Sequence, residues 1–166
     1  MGYDETIELE RGRVQIRPLR RSDRARYVAA VESLSPRSRY LRFGGPVKSL
    51  SDQTVDRLMD ADGERHVVLV ACEDDAIVAV GRYVVDRPRV GELAMGVADR
   101  WQGHGLGRAL LDRLVRRARE SGLVGLEATT LSENHVSRRL LSTTGFGLSG
   151  REGRLVNYRL ILRDAA

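Results

Sequence analysis

The chain has one cysteine, Cys72, and one lysine, Lys48. A single thiol excludes an internal disulfide framework and fits a reducing, cytoplasmic setting. Cys72 ends an apolar run that begins after His66, where a thiol acts as a small core residue and not as a nucleophile. The three histidines, His66, His104 and His135, fall at no metal-ligand spacing, so no metal site is expected. A P-loop is excluded, because Lys48 lies in no Gly-Lys-Ser/Thr sequence. No apolar run approaches the roughly 18 residues of a membrane span. The N-terminus lacks the apolar stretch of a secretory signal, and no membrane partner is expected. Prolines number four, and no linker, repeat or low-complexity tract divides the chain.

What is present is 166 residues with a hydrophobic share of 42%, enough for one domain around a substantial core. Residues 1–166 read as that single domain, with no room for a second, nucleotide-gated one. The net charge is +5, and 27 of the 28 basic residues are arginine, the other being Lys48. They crowd at 17–26 and 108–119. Neither stretch carries a DNA- or RNA-binding motif, so nucleic acid is not an expected partner. A basic surface suits a polyphosphate ligand instead, with Arg108, Arg113, Arg116 and Arg117 as candidates.

Val14 to Leu19 reads as an opening strand. Ser22 predicts the cap of a helix through Tyr27, Val28 and Val31. Ser35-Pro36 opens a second helix, closed by Gly44-Gly45-Pro46, and Ser51 opens a third through Val55, Leu58 and Met59. Strands over 66–72 and 77–85 follow around the acidic turn Glu73-Asp74-Asp75, and another runs from Val90 to Val97. Leu106, Leu110, Leu114 and Ala118 recur every four residues and predict a helix over 108–120, with Gly122 past its end. A strand over 125–131, a helix over 134–144 and a strand pair around 146–148 and 155–162, turned at Gly150 to Gly153, complete an α/β chain. Such an order makes a mixed sheet with helices on its faces.

Between the 90–97 strand and the long helix stands Gln102-Gly103-His104-Gly105-Leu106-Gly107. Glycines let a backbone approach an anion closely. The first N–H groups of the following helix have no intrahelical partner and point at it. The hexapeptide reads as a pyrophosphate cradle; without a ligand, the same residues make a tight strand-to-helix turn. A dinucleotide fingerprint is excluded, since Arg108 stands where its third glycine belongs.

With Val90 to Val97 before it, and Asn134-x-x-Ser137, Leu140-Leu141 and Gly145-Phe146 after it, this segment resembles the GNAT family, the GCN5-related N-acetyltransferases. The resemblance spans roughly residues 13–162. It implies a mixed, largely antiparallel sheet flanked by helices, acetyl-CoA as donor and an amine as acceptor. Ser35-Pro36-Arg37-Ser38-Arg39-Tyr40-Leu41-Arg42-Phe43 narrows it, being similar to the S-P-x-S-x-Y-L-R-F stretch in the GNAT domains of bacterial protein lysine acetyltransferases. A protein lysine and a small-molecule amine both stay open as acceptor, and a homodimer stays open as the assembly.

The resemblance also implies roles. Backbone amides from Gln102 through Gly103, His104, Gly105, Leu106 and Gly107 to Arg108 would hold the pyrophosphate. The pantetheine arm would lie along Met95, Gly96 and Val97 and meet Asn134 and Ser137. Gly96 predicts a bulge that splays its strand, opens the slot and frees an N–H for the oxyanion. A lysine amine, of pKa near 10.4, must lose a proton before it attacks. Glu92 stands where the protein-acetylating relatives carry their general base, and alternation puts it on the face of Ala94 and Gly96. The bland alternative is an exposed strand-end glutamate, and Asp99, in a turn, is a weaker candidate base. The tyrosine that many members use as general acid is replaced by Leu141. These residues read as an acetyl-CoA-dependent N-acetyltransferase. The missing tyrosine favours the alternative, a non-catalytic acyl-CoA-binding sensor on the same fold.

Overall fold

The computed structural model describes residues 4–162; the ends of the expected 1–166 domain, 1–3 and 163–166, lie outside the described residues. Eight strands form one sheet. Its spatial order is β1 (Glu5–Leu9), β2 (Gly12–Pro18), β3 (His66–Glu73), β4 (Ala76–Arg87), β5 (Val90–Val97), β6 (Gly125–Leu131), β8 (Leu155–Ile161) and β7 (Gly147–Glu152). Neighbours run antiparallel except β5 and β6, which are parallel. Helices α1 (Arg24–Glu32), α2 (Pro36–Phe43) and α3 (Asp52–Met59) lie between β2 and β3 in the chain. Helix α4 (Leu106–Glu120) connects β5 to β6, and α5 (His135–Thr143) connects β6 to β7.

Local chemistry accounts for the helix ends. Ser35 Oγ accepts the N–H of Ser38 at 3.1 Å, Pro36 occupies the first turn, and Gly44 closes α2 in the left-handed region. Ser51 caps α3 in the same way through Thr54 N–H. β3 is apolar from Val67 to Cys72 because both its faces are covered there. On one face Leu106, Leu110 and Leu114 of α4 pack fully buried against the sheet with Trp101. On the other, Tyr27 and Val31 of α1 and Leu58 of α3 cover Val70 and Cys72. α4 lies so close to β4 that a β-carbon on Gly81 would stand 2.6 Å from Leu114 Cδ1. Among the described residues, no helix is long and apolar enough to cross a membrane.

Four expectations change. β1 is an additional strand, because Glu5 and Glu8 mask a short alternation that pairs with β2. Ser22 is not a cap. A 3-10 turn over Arg21–Asp23 precedes α1, since the Asp23 carboxylate is drawn inward to the buried Arg17 guanidinium at 2.7 and 2.9 Å. Gly150 is not in a turn. It lies inside β7, where the register with β8 shifts, and the chain reverses at Gly153. Finally, Gly96 carries no bulge. The β4–β5 register is unbroken from Ala79↔Val97 to Val85↔Gly91 and shifts only between Val85 and Arg87.

Candidate functional site

The slot opens without that bulge. β5 and β6 pair from Val90↔Gly125 to Leu93↔Ala128, and there the ladder stops. Beyond it, Ala94 to Val97 on one side and Thr129 to Leu131 on the other have no partner across the gap. Backbone N–H and C=O groups on an unpaired edge are available to a ligand that lies in as an extra strand. The gap widens into a cleft of about 540 Å³, floored by β5 and walled by α2, α5 and the start of α4.

At one end of the cleft the chain turns into α4. Gly103 and Gly105 both adopt left-handed backbone, with φ of 76° and 85°, and Gly105 occupies the N-cap without any side-chain cap bond. The first N–H groups of α4 are therefore left for an external acceptor, and the helix dipole favours an anion there. Gly107 has room for a β-carbon, which would meet Leu140 at 3.5 Å and Val97 at 3.6 Å, so packing does not demand glycine there. Gln102 Nε2 donates to Val97 O at 3.0 Å and to Ser38 Oγ at 3.3 Å, tying the cradle to β5 and α2.

Most of the anticipated binding residues meet here: Met95, Gly96, Val97, Gln102, Gly103, Gly105, Gly107, Arg108, Asn134 and Ser137 all line the cleft. Leu106 and His104 do not. Leu106 is buried in the core, so only its backbone faces the cradle turn, and His104 Nδ1 is buried without a partner. Asn134 caps α5 by accepting Ser137 N–H at 3.1 Å. Of the four candidate phosphate arginines, Arg108 alone lines the cleft. Arg113 and Arg116 bind Glu5 at 2.6 and 2.8 Å and hold its carboxyl below the usual range, while Arg117 donates to Gly63 O.

Glu92 is exposed on β5, one residue before the last β5–β6 pair and opposite Glu127. It shares the face of Ala94 and Gly96, as alternation requires. Asp99 is engaged elsewhere. Its carboxylate accepts Ser35 N–H, Ser35 Oγ and Ser38 Oγ at 2.9, 2.9 and 2.6 Å. Burial raises its pKa, but these hydrogen bonds outweigh burial and hold it below the ordinary value. Leu141 is buried where the family's tyrosine would stand. Tyr158, on β8, has its hydroxyl occupied by Arg138 Nε at 3.1 Å.

Among the cleft residues that sequence reasoning missed are two arginines, Arg42 and Arg139. With Arg108 they are the charged side chains of the cleft lining, which contains no carboxylate. Arg139 was legible in principle, since it falls on the same side of α5 as Val136 and Thr143. Arg42 lies within a motif whose apolar members masked it. Among the described residues, no cluster of three or more His, Cys, Asp or Glu has metal-binding geometry.

Comparison with known proteins gives a consistent match. The sequence model of the acetyltransferase (GNAT) family matches residues 28–146. Acetyltransferase PA5475 of Pseudomonas aeruginosa is 35% identical over 150 residues, covering 86% of this chain and 81% of that protein. The GNAT domain of PAT from S. lividans superposes with a TM-score of 0.91 at 27% identity, over 96% of this chain and 97% of that one. The yncA acetyltransferase of Salmonella typhimurium, solved with its cofactor acetyl-CoA, shares the fold with a TM-score of 0.70 at 24% identity, over 92% and 96% of the two chains.

Proposed function

We propose, from the premise that this chain belongs to the acetyltransferase (GNAT) family, that it is an N-acetyltransferase. It moves the acetyl group of acetyl-CoA to a primary amine, on a protein lysine or on a small molecule. One observation carries this reading: the unpaired edge of β5 runs directly into the glycine cradle at the start of α4. That continuity fits a long donor with a pyrophosphate in its middle and a thioester at its tip.

The residues present fit such a donor. Left-handed Gly103 and Gly105 leave room that a β-branched side chain would fill. The amides from Gln102 to Arg108 hold the pyrophosphate, and the pantetheine amides pair with β5 at Met95 to Val97. Asn134 and Ser137 face the arm from α5. An unpaired β5 N–H stabilises the oxyanion when the amine attacks the thioester carbon. Glu92 takes the amine proton through water. With Leu141 in place of tyrosine, the thiolate departs without a dedicated acid, which its pKa near 8.5 permits.

Calorimetry with acetyl-CoA, followed by CoA release on adding an amine panel and a lysine peptide, tests this reading. Tight binding with acceptor-dependent CoA release is expected. Binding without release on any acceptor would instead favour the non-catalytic acyl-CoA sensor, the reading that Leu141 supports. An O-acetylated product would overturn the assignment to amines.

A further inference from the structure

Arg42 is the charged side chain that faces the cleft from α2. Its stem lies over Gly96, 3.6 Å from where a β-carbon there would stand, and its guanidinium sits 5.0 Å from the Phe43 ring centre. Burial lowers its pKa, and nearby Arg82 lowers it further. Arg82 stands on β4 opposite Ala94, and its Nε is buried with no hydrogen-bond partner. Neither arginine has a carboxylate partner among the described residues. Tyr27 also faces Arg42 and Arg82, but burial raises its pKa and keeps it neutral. Arg42 and Arg82 are half-buried, and the fold treats the fully buried Arg17 differently. Arg17 receives both oxygens of Asp23. An uncompensated, desolvated guanidinium is costly, and it gains most from an anion that brings its own charge.

The side on which Arg42 lies says what that anion belongs to. Leu93 and Val97 face α4 and the cradle, whereas Glu92, Ala94 and Gly96 face the other way. Arg42 is therefore on the side of Glu92, away from the donor's phosphates. We propose that Arg42, with the nearby Arg82 adding positive charge, binds a carboxylate on the acceptor. The acceptor is then a small amine that carries an acid group, as an amino acid does. This rests on the acetyltransferase reading above.

The test pairs each of the common L-amino acids with its carboxamide as acceptor, with CoA release as the readout. At least one acid is expected to exceed its amide tenfold or more in kcat/KM. In Arg42→Gln that preference should fall to about one, chiefly through KM, with Arg42→Lys restoring part of it and calorimetric acetyl-CoA affinity within about twofold of the parent. Equal use of acids and amides, or a preference that survives Arg42→Gln, would overturn the proposal. So would an Arg42-dependent preference for succinyl-CoA over acetyl-CoA, which would move the carboxylate to the donor. Should acetyl-CoA bind and no amine react, the catalytic reading alone fails. The proposal is then decided by calorimetric titration of the same pairs into the CoA-bound protein: Arg42-dependent binding of an acid but not its amide upholds it, and no such difference overturns it.

Discussion

Ser38 Oγ donates to Asp99 Oδ1 at 2.6 Å, across 61 residues of sequence. This bond fixes the start of α2, one wall of the cleft, to the turn that leads from β5 into the cradle. Gln102 closes the link by donating to the same Ser38 oxygen. The carboxylate of Asp99 is thus a structural acceptor, held ionised by its donors and not available as a base.

Asp99→Ala should destabilise the fold by about 1.5–3 kcal/mol, the range for hydrogen bonds to a charged acceptor. Thermal denaturation measures the loss. The shape of the pH–rate profile should stay that of the parent; a shifted acid limb would give Asp99 a part in proton transfer.

Glu92→Gln keeps the shape of the side chain and removes its proton acceptor. The rate of acetyl transfer should fall by about 10²–10⁴ with acetyl-CoA affinity nearly unchanged, and the low-pH limb of the profile should flatten. Near-normal turnover would leave solvent to take the proton. Lost acetyl-CoA binding in a folded variant would make Glu92 a binding residue.

Gly105→Glu adds a negative side chain to the cradle at a left-handed position. Acetyl-CoA affinity should fall at least tenfold, about 1.4 kcal/mol. Gly105→Ala separates the backbone strain from the charge, and it should cost affinity less than glutamate does. Unchanged affinity in a folded Gly105→Glu variant would remove the pyrophosphate from this turn.

Arg17 and Asp23 set a pH dependence. The Arg17 guanidinium holds the Asp23 carboxyl below its ordinary value of 3.8. A carboxyl whose folded pKa is depressed contributes stability that is complete above its unfolded pKa and is lost as pH falls through the folded one. Urea denaturation should show stability level above about pH 5 and declining below about pH 4. Asp23→Ala leaves Arg17 buried and unpaired and should cost about 3–5 kcal/mol. The double variant Arg17→Met/Asp23→Leu should be the more stable of the two, because it removes the charge with its partner.

Local signals in the sequence were sufficient for most of the elements and for the glycine turn before α4, though not for β1, the start of α1 or the extent of β7. Serine caps at 35 and 51, the four-residue leucine period of α4 and the glycines at 103 and 105 act over a few residues, so their physics is complete within the segment. They also placed Met95, Asn134 and Ser137 at one cleft through the family pattern. The tertiary structure alone decided what depends on distant partners. The slot opens because β6 leaves β5 after the pair Leu93↔Ala128, and those two residues lie on strands far apart in the sequence. Arg113 and Arg116 are spent on Glu5, more than a hundred residues away, so they do not serve the cradle. Arg42 is left without a carboxylate while Arg17 receives one, although the sequence presents both as arginines near hydrophobic neighbours. Charge compensation is a property of what the fold brings within hydrogen-bond reach, and no local pattern encodes it.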